Sequence, residues 1–234
     1  TVVGFINEFA GKHSPKTVRN AYSLLCAVIR LQIPDASFRV TMPQKEILQY
    51  YIPKDEELQS LLSYTKTANY DLYVAILLAS IGTLRRSEVC GLYANDIQGN
   101  TVHVHQTMVK DQNYKWVLKS VAKNSTSDRY IEYPDKVIKE LPVSGKICNL
   151  NPDMITHDFG RTIKKLGLPH FRFHDLRHYA ATIMHAMGVP EAYIMERGGW
   201  KTNTVLNQVY RGTRSDFSKK YSDQANGYFE NHLL

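Results

Sequence analysis

The sequence has 234 residues, 43% of them hydrophobic, which is enough for one sizeable core and a smaller companion unit. Its 29 basic and 22 acidic residues give a net charge of +7, an excess that suits a polyanionic partner such as nucleic acid. The three cysteines are too scattered for a disulfide framework or a zinc site, and no segment resembles a signal peptide or has the ~20 apolar residues of a membrane span. We therefore expect a protein of a reducing cytosol without a membrane partner.

Two helices are predicted at the N-terminal end. Ser14 and Pro15 are typical of an N-cap and a first helical position, and apolar residues follow at helical spacing. A shorter helical pattern precedes them and begins with threonine rather than methionine. We interpret residues 1–40 as the C-terminal part of a helical unit of a longer protein, and the proline-containing residues 41–53 as a linker.

Residues 54–234 are predicted to form the main domain, mainly α with a small antiparallel β-sheet. An acidic first helical turn opens it, and the apolar run 72–81 predicts a buried helix. Apolar and polar residues then alternate over 101–133, which predicts two or three short antiparallel strands. Helical patterns resume after the strands, and their starts and ends are marked by Asn151, Pro152, Gly167, Gly188 and Pro190.

The segment HDLRH, residues 174–178, places His174, Arg177 and His178 on one face of a helix, because they lie at i, i+3 and i+4. Such a cationic face needs an anion, a metal or a carboxylate as its partner. The spacing of the histidines is that of a zinc-binding helix, but Asp175 replaces the glutamate of the hydrolase motif and the arginine would place a cation beside the metal. Histidines that only form hydrogen bonds in a core are the remaining alternative.

The segment IGTLRRSEVCGL, residues 81–92, places two arginines directly after the buried helix. An arginine at the edge of a core is costly unless its donors are used. Glu88 can hold one side of a guanidinium group and leave the other side for a ligand. The alternative is a local surface pair of Arg85 and Glu88.

The segment GGWKTNTVLNQVYRG, residues 198–212, contains a glycine turn, an indole N–H donor at Trp200, and Tyr210 at the end of a short amphipathic stretch. Taken alone, Tyr210 is an ordinary packing residue. In chain order, however, Arg-x-x-Glu, a strand-rich segment with lysines, His-x-x-Arg-His, Gly-Gly-Trp and Tyr resemble the motifs of the tyrosine recombinase family, or phage-type integrases. The resemblance covers residues 53–212.

The resemblance implies a set of donors for the nonbridging oxygens of a DNA phosphate. Arg85 and Arg177 would clamp these oxygens, because planar guanidinium groups suit that geometry, and His174 would add a donor. Trp200 replaces the histidine that is commoner in the family, but its N–H also donates one hydrogen bond. Glu88 and His178 would keep the arginines in position. The family motif places its essential arginine first, so Arg86 is interpreted as a surface residue or a contact to a backbone phosphate.

The resemblance also implies the covalent chemistry. Tyr210 would attack phosphorus to form a 3′-phosphotyrosyl link, with His174 as the candidate base. In the segment AKNSTSDRYIEYP, Lys123 aligns with the lysine of the family that protonates the departing 5′-oxygen, and Lys119 is the competing candidate. No metal and no cofactor are required.

In the family, a helical core-binding unit and the catalytic domain clamp double-stranded DNA, so DNA is the implied partner. Aromatic residues near the C-terminus lie at near-helical spacing, and such a helix docks on a neighbouring protomer in similar enzymes. The resemblance therefore implies a homotetramer on two DNA sites, which acts in the bacterial cytosol and is associated with the nucleoid when it is bound to DNA. The resemblance predicts a site-specific recombinase of a phage or mobile element. A catalytically silent DNA-binding protein of the same fold and a type IB topoisomerase are the alternatives.

Overall fold

The structure is a computed structural model of the chain. It describes residues 1–44, 51–121 and 126–202. The chain divides into two compact units, Thr1–Gln49 and Tyr50–Leu234. Within the described ranges, every helix is too short or too polar to span a lipid bilayer.

The first unit contains two helices, α1 (Val2–Ala10) and α2 (Pro15–Gln32). The Ser14 hydroxyl accepts a hydrogen bond from the backbone N–H of Thr17 at 3.3 Å, so the predicted start of α2 is confirmed. The Tyr22 hydroxyl donates to a backbone carbonyl beyond the helix, which holds the chain that follows against α2. The predicted boundaries at residues 40 and 53 stay a prediction, because residues 45–50 lie outside the described part.

The second unit is mainly helical. Its described helices are α3 (Asp55–Ala68), α4 (Tyr70–Gly82), α5 (Arg86–Val89), α6 (Asp135–Ile138), α7 (Pro152–Lys165), α8 (Asp175–Ala186) and α9 (Glu191–Gly198). Almost every side chain of α4 is buried, as the apolar run predicted, and α3 and α8 pack against it. The fold is therefore built round α4, with α8 alongside it.

The predicted helix boundaries are confirmed from Asn151 onward. The Asn151 side chain accepts hydrogen bonds from two backbone N–H groups at the start of α7, at 3.0 and 2.9 Å. Gly167 and Gly188, with φ of +64° and +79°, follow the ends of α7 and α8 in the left-handed conformation that glycine adopts without strain. Pro190 precedes the first residue of α9.

Five short strands form two separate sheets among the described residues. Strands β1 (Ile97–Gln98), β2 (Thr101–Val104) and β5 (Arg129–Glu132) make one antiparallel sheet, and β3 (Gln106–Lys110) pairs with β4 (Trp116–Ser120) in a hairpin. The prediction of two or three strands over 101–133 was wrong in number. One residue, His105, separates two strands that pair with different partners, and alternation of side chains carries no signal for that change.

The end of α4 is fixed by a contact with Tyr133, the residue directly after β5. The Tyr133 hydroxyl donates to the Leu78 carbonyl at 2.9 Å. A Cβ on Gly82 would lie 1.6 Å from this hydroxyl, so only glycine allows the approach. Thr83 then takes a left-handed conformation, with φ of +61°, and turns the chain out of the helix. The residues after α4 are thereby held in one position relative to β5.

Candidate active site

The turn after α4 presents Arg85 and Glu88 to each other. Arg85 caps α5, and its backbone N–H donates to Glu88 Oε2 at 2.8 Å while its Nη1 donates to Oε1 at 2.5 Å. The Glu88 side chain is 1% exposed and that of Arg85 is 33% exposed. The alternative of a surface ion pair is therefore wrong, because the carboxylate is buried and only the arginine reaches solvent.

Glu88 is shared by three arginines. Besides Arg85, the guanidinium of Arg129 on β5 donates to both carboxylate oxygens, at 3.2 Å from Nη1 and 3.0 Å from Nη2. Arg177 on α8 brings its Nη1 to 3.9 Å from Oε2. Burial alone raises the pKa of Glu88, but the hydrogen bonds and charges of these arginines outweigh it and hold the pKa below its ordinary value. The carboxylate is therefore ionised at neutral pH.

Arg177 is almost completely buried, with 1% of its side chain exposed. Its Nη1 donates to the Thr83 carbonyl, and its Nη2 donates to the Gly198 carbonyl at 2.7 Å. The Trp200 ring lies over the guanidinium, 4.8 Å from ring centroid to Cζ, at a distance typical of a cation–π contact. Burial, followed by the charge of Arg85, lowers the pKa of Arg177 to about 9, so the group stays cationic at neutral pH. Its Nε has no partner among the described residues.

The Gly-Gly-Trp segment supplies two consecutive acceptors. The Gly198 carbonyl accepts a hydrogen bond from Arg177 Nη2, and the Gly199 carbonyl accepts one from Arg85 Nη2 at 3.2 Å. Gly199 has a φ of +61° and ends α9, and a Cβ there would lie 2.6 Å from the Thr126 carbonyl oxygen. This turn therefore holds the two arginines, which come from distant parts of the sequence, next to each other.

A methyl group at Gly198 is expected to disturb this arrangement. A Cβ there would lie 2.1 Å from the Trp200 ring, so Gly198→Ala must push the indole away from Arg177 and should lower the free energy of unfolding by about 1–3 kcal/mol. Thermal unfolding measures the loss. Gly160→Ala, inside α7 with nothing within 4 Å of the new Cβ, is the control and should be neutral or slightly stabilising. Equal effects of the two substitutions would contradict the prediction.

The two histidines lie at the start of α8. His174 occupies the N-cap position of α8 and retains contact with solvent, whereas His178 is buried. The two rings meet edge to face with centroids 5.2 Å apart. Partial removal from water, followed by the charges of Arg177 and His178, lowers the pKa of His174 to about 4. Burial also lowers the pKa of His178. Both imidazoles are therefore neutral at pH 7.

The structure brings most of the predicted residues together. Arg85, Glu88, Arg177 and Trp200 form one connected cluster, and α8 places His174 and His178 beside it. Lys119 is an exposed residue of β4, and Arg86 is exposed and donates to the Thr156 hydroxyl of α7. Lys123, Tyr210 and the aromatic residues near the C-terminus lie outside the described residues. In the described ranges, no three His, Cys, Asp or Glu side chains are grouped as a metal site would need.

Two arginines of the site were not identified from the sequence. Arg129 occupies an inward position of β5, two residues before the buried Ile131, and this alternation is the signal that could have revealed it. Arg197 donates from Nη2 to the carbonyls of Ile81 and Glu132, at 3.2 and 3.0 Å. Nothing in the sequence around Arg197 distinguishes it from a solvated residue.

Comparisons with known proteins give one consistent result. The sequence profile of the phage integrase family matches residues 53–216. An integrase of Saccharopolyspora erythraea is 30% identical over 80 residues, which is 34% of this chain and 18% of that protein. The integrase of Salmonella phage P22 is 45% identical over 46 residues, which is 20% of this chain and 12% of that protein. The matched segments thus span less than a fifth of either relative.

A solved structure shares the fold. It is the Tn1549 transposon integrase in complex with circular intermediate DNA, with a TM-score of 0.73 and 18% identity. The alignment covers 96% of this chain and 84% of the other. At this identity, the likeness shows that the two chains have the same architecture.

Proposed function

The chain belongs to the phage integrase family, and from that membership we propose that it is the strand-cleaving part of a site-specific DNA recombinase. The observation that carries the proposal is the convergence of Arg85 and Arg177 on Glu88 and on the carbonyls of Gly198 and Gly199. One carboxylate among three guanidinium groups leaves an excess of positive charge. The negative charge of a DNA phosphate would balance this excess.

The proposed chemistry is phosphoryl transfer to a phenol. Arg85 and Arg177 would stabilise the charge that gathers on the nonbridging oxygens, with His174 and Trp200 as further donors. The Tyr210 oxygen would attack phosphorus, the bond to the 5′-oxygen would break, and Lys123 would protonate that oxygen. The phenol proton would go to the site's base, His174. A 5′-hydroxyl of another strand reverses the step, so neither a metal ion nor a nucleotide cofactor is needed.

The proposed partner is double-stranded DNA with the ends of a mobile element and its target site. We propose a homotetramer on two such sites, in which the C-terminal aromatic residues dock on a neighbouring protomer. That docking set is Phe217, Tyr221, Tyr228 and Phe229, together with Ala225 at the same spacing. The integrase would act in the bacterial cytosol, on the nucleoid, and its affinity for DNA should fall steeply as salt concentration rises.

The proposal is tested with nicked duplexes tiled across the DNA that flanks the coding sequence. The nick lets the fragment bearing the 5′-hydroxyl diffuse away, so a cleaving enzyme is trapped as a covalent adduct that survives denaturing electrophoresis. We expect an adduct on one or a few duplexes. Binding without any adduct would favour a silent DNA-binding protein, and relaxation of supercoiled plasmid without such a site would favour a topoisomerase.

The protonation of His174 gives a pH prediction. Its pKa is lowered to about 4, whereas a histidine of the unfolded chain titrates near ~6.5. Between these values the unfolded chain binds the additional proton, so the His174 contribution makes the folded state more stable as pH rises from about 4 to ~6.5. The His174 ring resonance, assigned by its loss in His174→Gln, should keep its neutral position by NMR down to roughly pH 5. A midpoint near ~6.5 in the DNA-free protein would contradict this.

A further inference from the structure

Arg129 is a buried arginine without a role in the proposed chemistry. Its side chain is 4% exposed on the inner face of β5. Nη1 and Nη2 donate to Glu88, Nη1 also donates to the Ser127 carbonyl at 3.2 Å, and Nε donates to the Arg197 carbonyl at 2.8 Å. Four hydrogen bonds of this kind direct the guanidinium into the protein and away from solvent.

The contacts of Arg129 with Glu88 and with the Arg197 carbonyl both lead to the phosphate-clamping arginines. Glu88 receives Arg85 directly, and its Oε2 is 3.9 Å from Arg177 Nη1. Arg197 is followed by the two glycines whose carbonyls receive Arg177 and Arg85. The Thr83 hydroxyl, next to the carbonyl that accepts from Arg177, donates to the same Arg197 carbonyl as Arg129 does, at 2.9 Å. Arg129 therefore contacts both the Glu88 carboxylate and the turn at Arg197, which together hold Arg85 and Arg177 in place.

We propose that Arg129 is a positioning residue that fixes Arg85 and Arg177 relative to each other, and relative to the residues before β5, without touching DNA. This inference rests on the proposed function, since it assumes that the two arginines bind the reacting phosphate. The role requires a planar fork, because only a guanidinium can donate to both oxygens of Glu88 while Nε donates to a third acceptor. A lysine supplies the charge but not this geometry.

Arg129→Lys separates positioning from binding. At saturating DNA we expect the rate of adduct formation to fall about 10–100-fold, because displacements of the order of 1 Å in a clamp have effects of this size. The dissociation constant for the same duplex, and its dependence on salt, should change less than about twofold, because a buried arginine releases no counterions from DNA. Thermal unfolding is measured in parallel, and the rates are compared well below the midpoint.

The pH profile supplies a second readout that a purely structural role would not change. The hydrogen bonds and charge of Arg129 are the largest influences that lower the pKa of Glu88, and burial opposes them. Arg85 and Arg177 are the other charges facing that carboxylate. In Arg129→Gln, which removes the charge, the pKa of Glu88 should rise, so adduct formation should decline toward acid pH at a higher pH than in the wild type.

Two controls accompany these variants. Arg161→Lys alters an arginine whose Nη2 lies 2.6 Å from Asp158 Oδ1 on the exposed surface of α7, and should keep the wild-type rate at saturating DNA. Ile155→Val loosens the core at a fully buried apolar residue of α7, and shows how much rate is lost through stability alone. Neither variant should shift the acid limb of the pH profile.

The outcomes are distinguishable. If the wild type forms no adduct on any duplex, the proposed function fails before Arg129 is tested. If it does, a wild-type rate and pH profile for Arg129→Lys and Arg129→Gln would overturn the positioning role. A weakened DNA affinity with an unchanged rate would make Arg129 a DNA contact and would also overturn it. If neither variant folds, Arg129 is a structural residue and the proposal is wrong.

Discussion

Tyr210→Phe is expected to abolish the covalent protein–DNA adduct while leaving DNA binding intact. The substitution removes one oxygen, and under the proposed chemistry this oxygen is the only protein atom that bonds to phosphorus. Loss of a nucleophile that cannot be replaced reduces the rate by roughly 10³-fold or more. The binding contacts come from other residues, so the dissociation constant should stay within about twofold. Denaturing electrophoresis measures the adduct, and a mobility-shift titration measures binding.

The control is a second tyrosine. Tyr193→Phe changes an exposed residue of α9, 64% accessible to solvent, and should form the adduct at the wild-type rate. The assignment of the nucleophile would be wrong if Tyr210→Phe still formed the adduct, and the candidates would then be Tyr221 and Tyr228. Loss of both adduct and DNA binding in Tyr210→Phe would instead indicate a structural role.

The helices could be predicted from the sequence because their ends are local. Ser14, Asn151, Gly167 and Gly188 act through hydrogen bonds or backbone conformations within a few residues, so their identity alone carries the information. The buried helix α4 was visible for a similar reason, since almost all its residues are apolar. These elements needed no knowledge of distant parts of the chain.

The strands and the charge cluster depend on distant residues. The pairing of β2 with β5 skips the whole β3–β4 hairpin, and no alternation of side chains specifies which partner a strand takes. Likewise, the Arg85–Glu88 contact is local and was predicted, but the bonds of Glu88 to Arg129 cross 41 positions of sequence. Arg129 was visible only as part of a strand motif, and its partner could not be identified from spacing.

Glu88→Gln is expected to destabilise the protein more than any other change of a single carboxyl to an amide among the described residues. Three guanidinium groups lie within 4 Å of this buried carboxylate, at 2.5, 3.0 and 3.9 Å, and the substitution removes the negative charge that opposes them. Removing one partner of a buried ion pair leaves the other charge uncompensated, and lowers the free energy of unfolding by about 3–5 kcal/mol. The midpoint of thermal unfolding should fall by roughly 6–20 °C.

Glu140→Gln is the matched control for this change. Glu140 pairs with Lys66 at 2.6 Å, but the two side chains are 28% and 49% exposed, so its loss should lower the free energy of unfolding by less than about 1 kcal/mol. Equal destabilisation by Glu88→Gln and Glu140→Gln would show that the negative charge of Glu88 does not balance the positive charges of the arginines.

The effect of Glu88→Gln should also depend on pH in one direction. The folded protein holds the pKa of Glu88 below its ordinary value, so the stabilisation from its charge is complete above the pKa of the unfolded chain, ~4.3, and is lost as pH falls through the lower folded value. The difference between wild type and Glu88→Gln should therefore be constant near neutral pH and narrow only in acid. Denaturant unfolding across this range measures it. A difference that narrowed already between pH 7 and pH 5 would mean that the arginines do not lower the pKa of Glu88, and the balance of charge inferred for the site would be wrong.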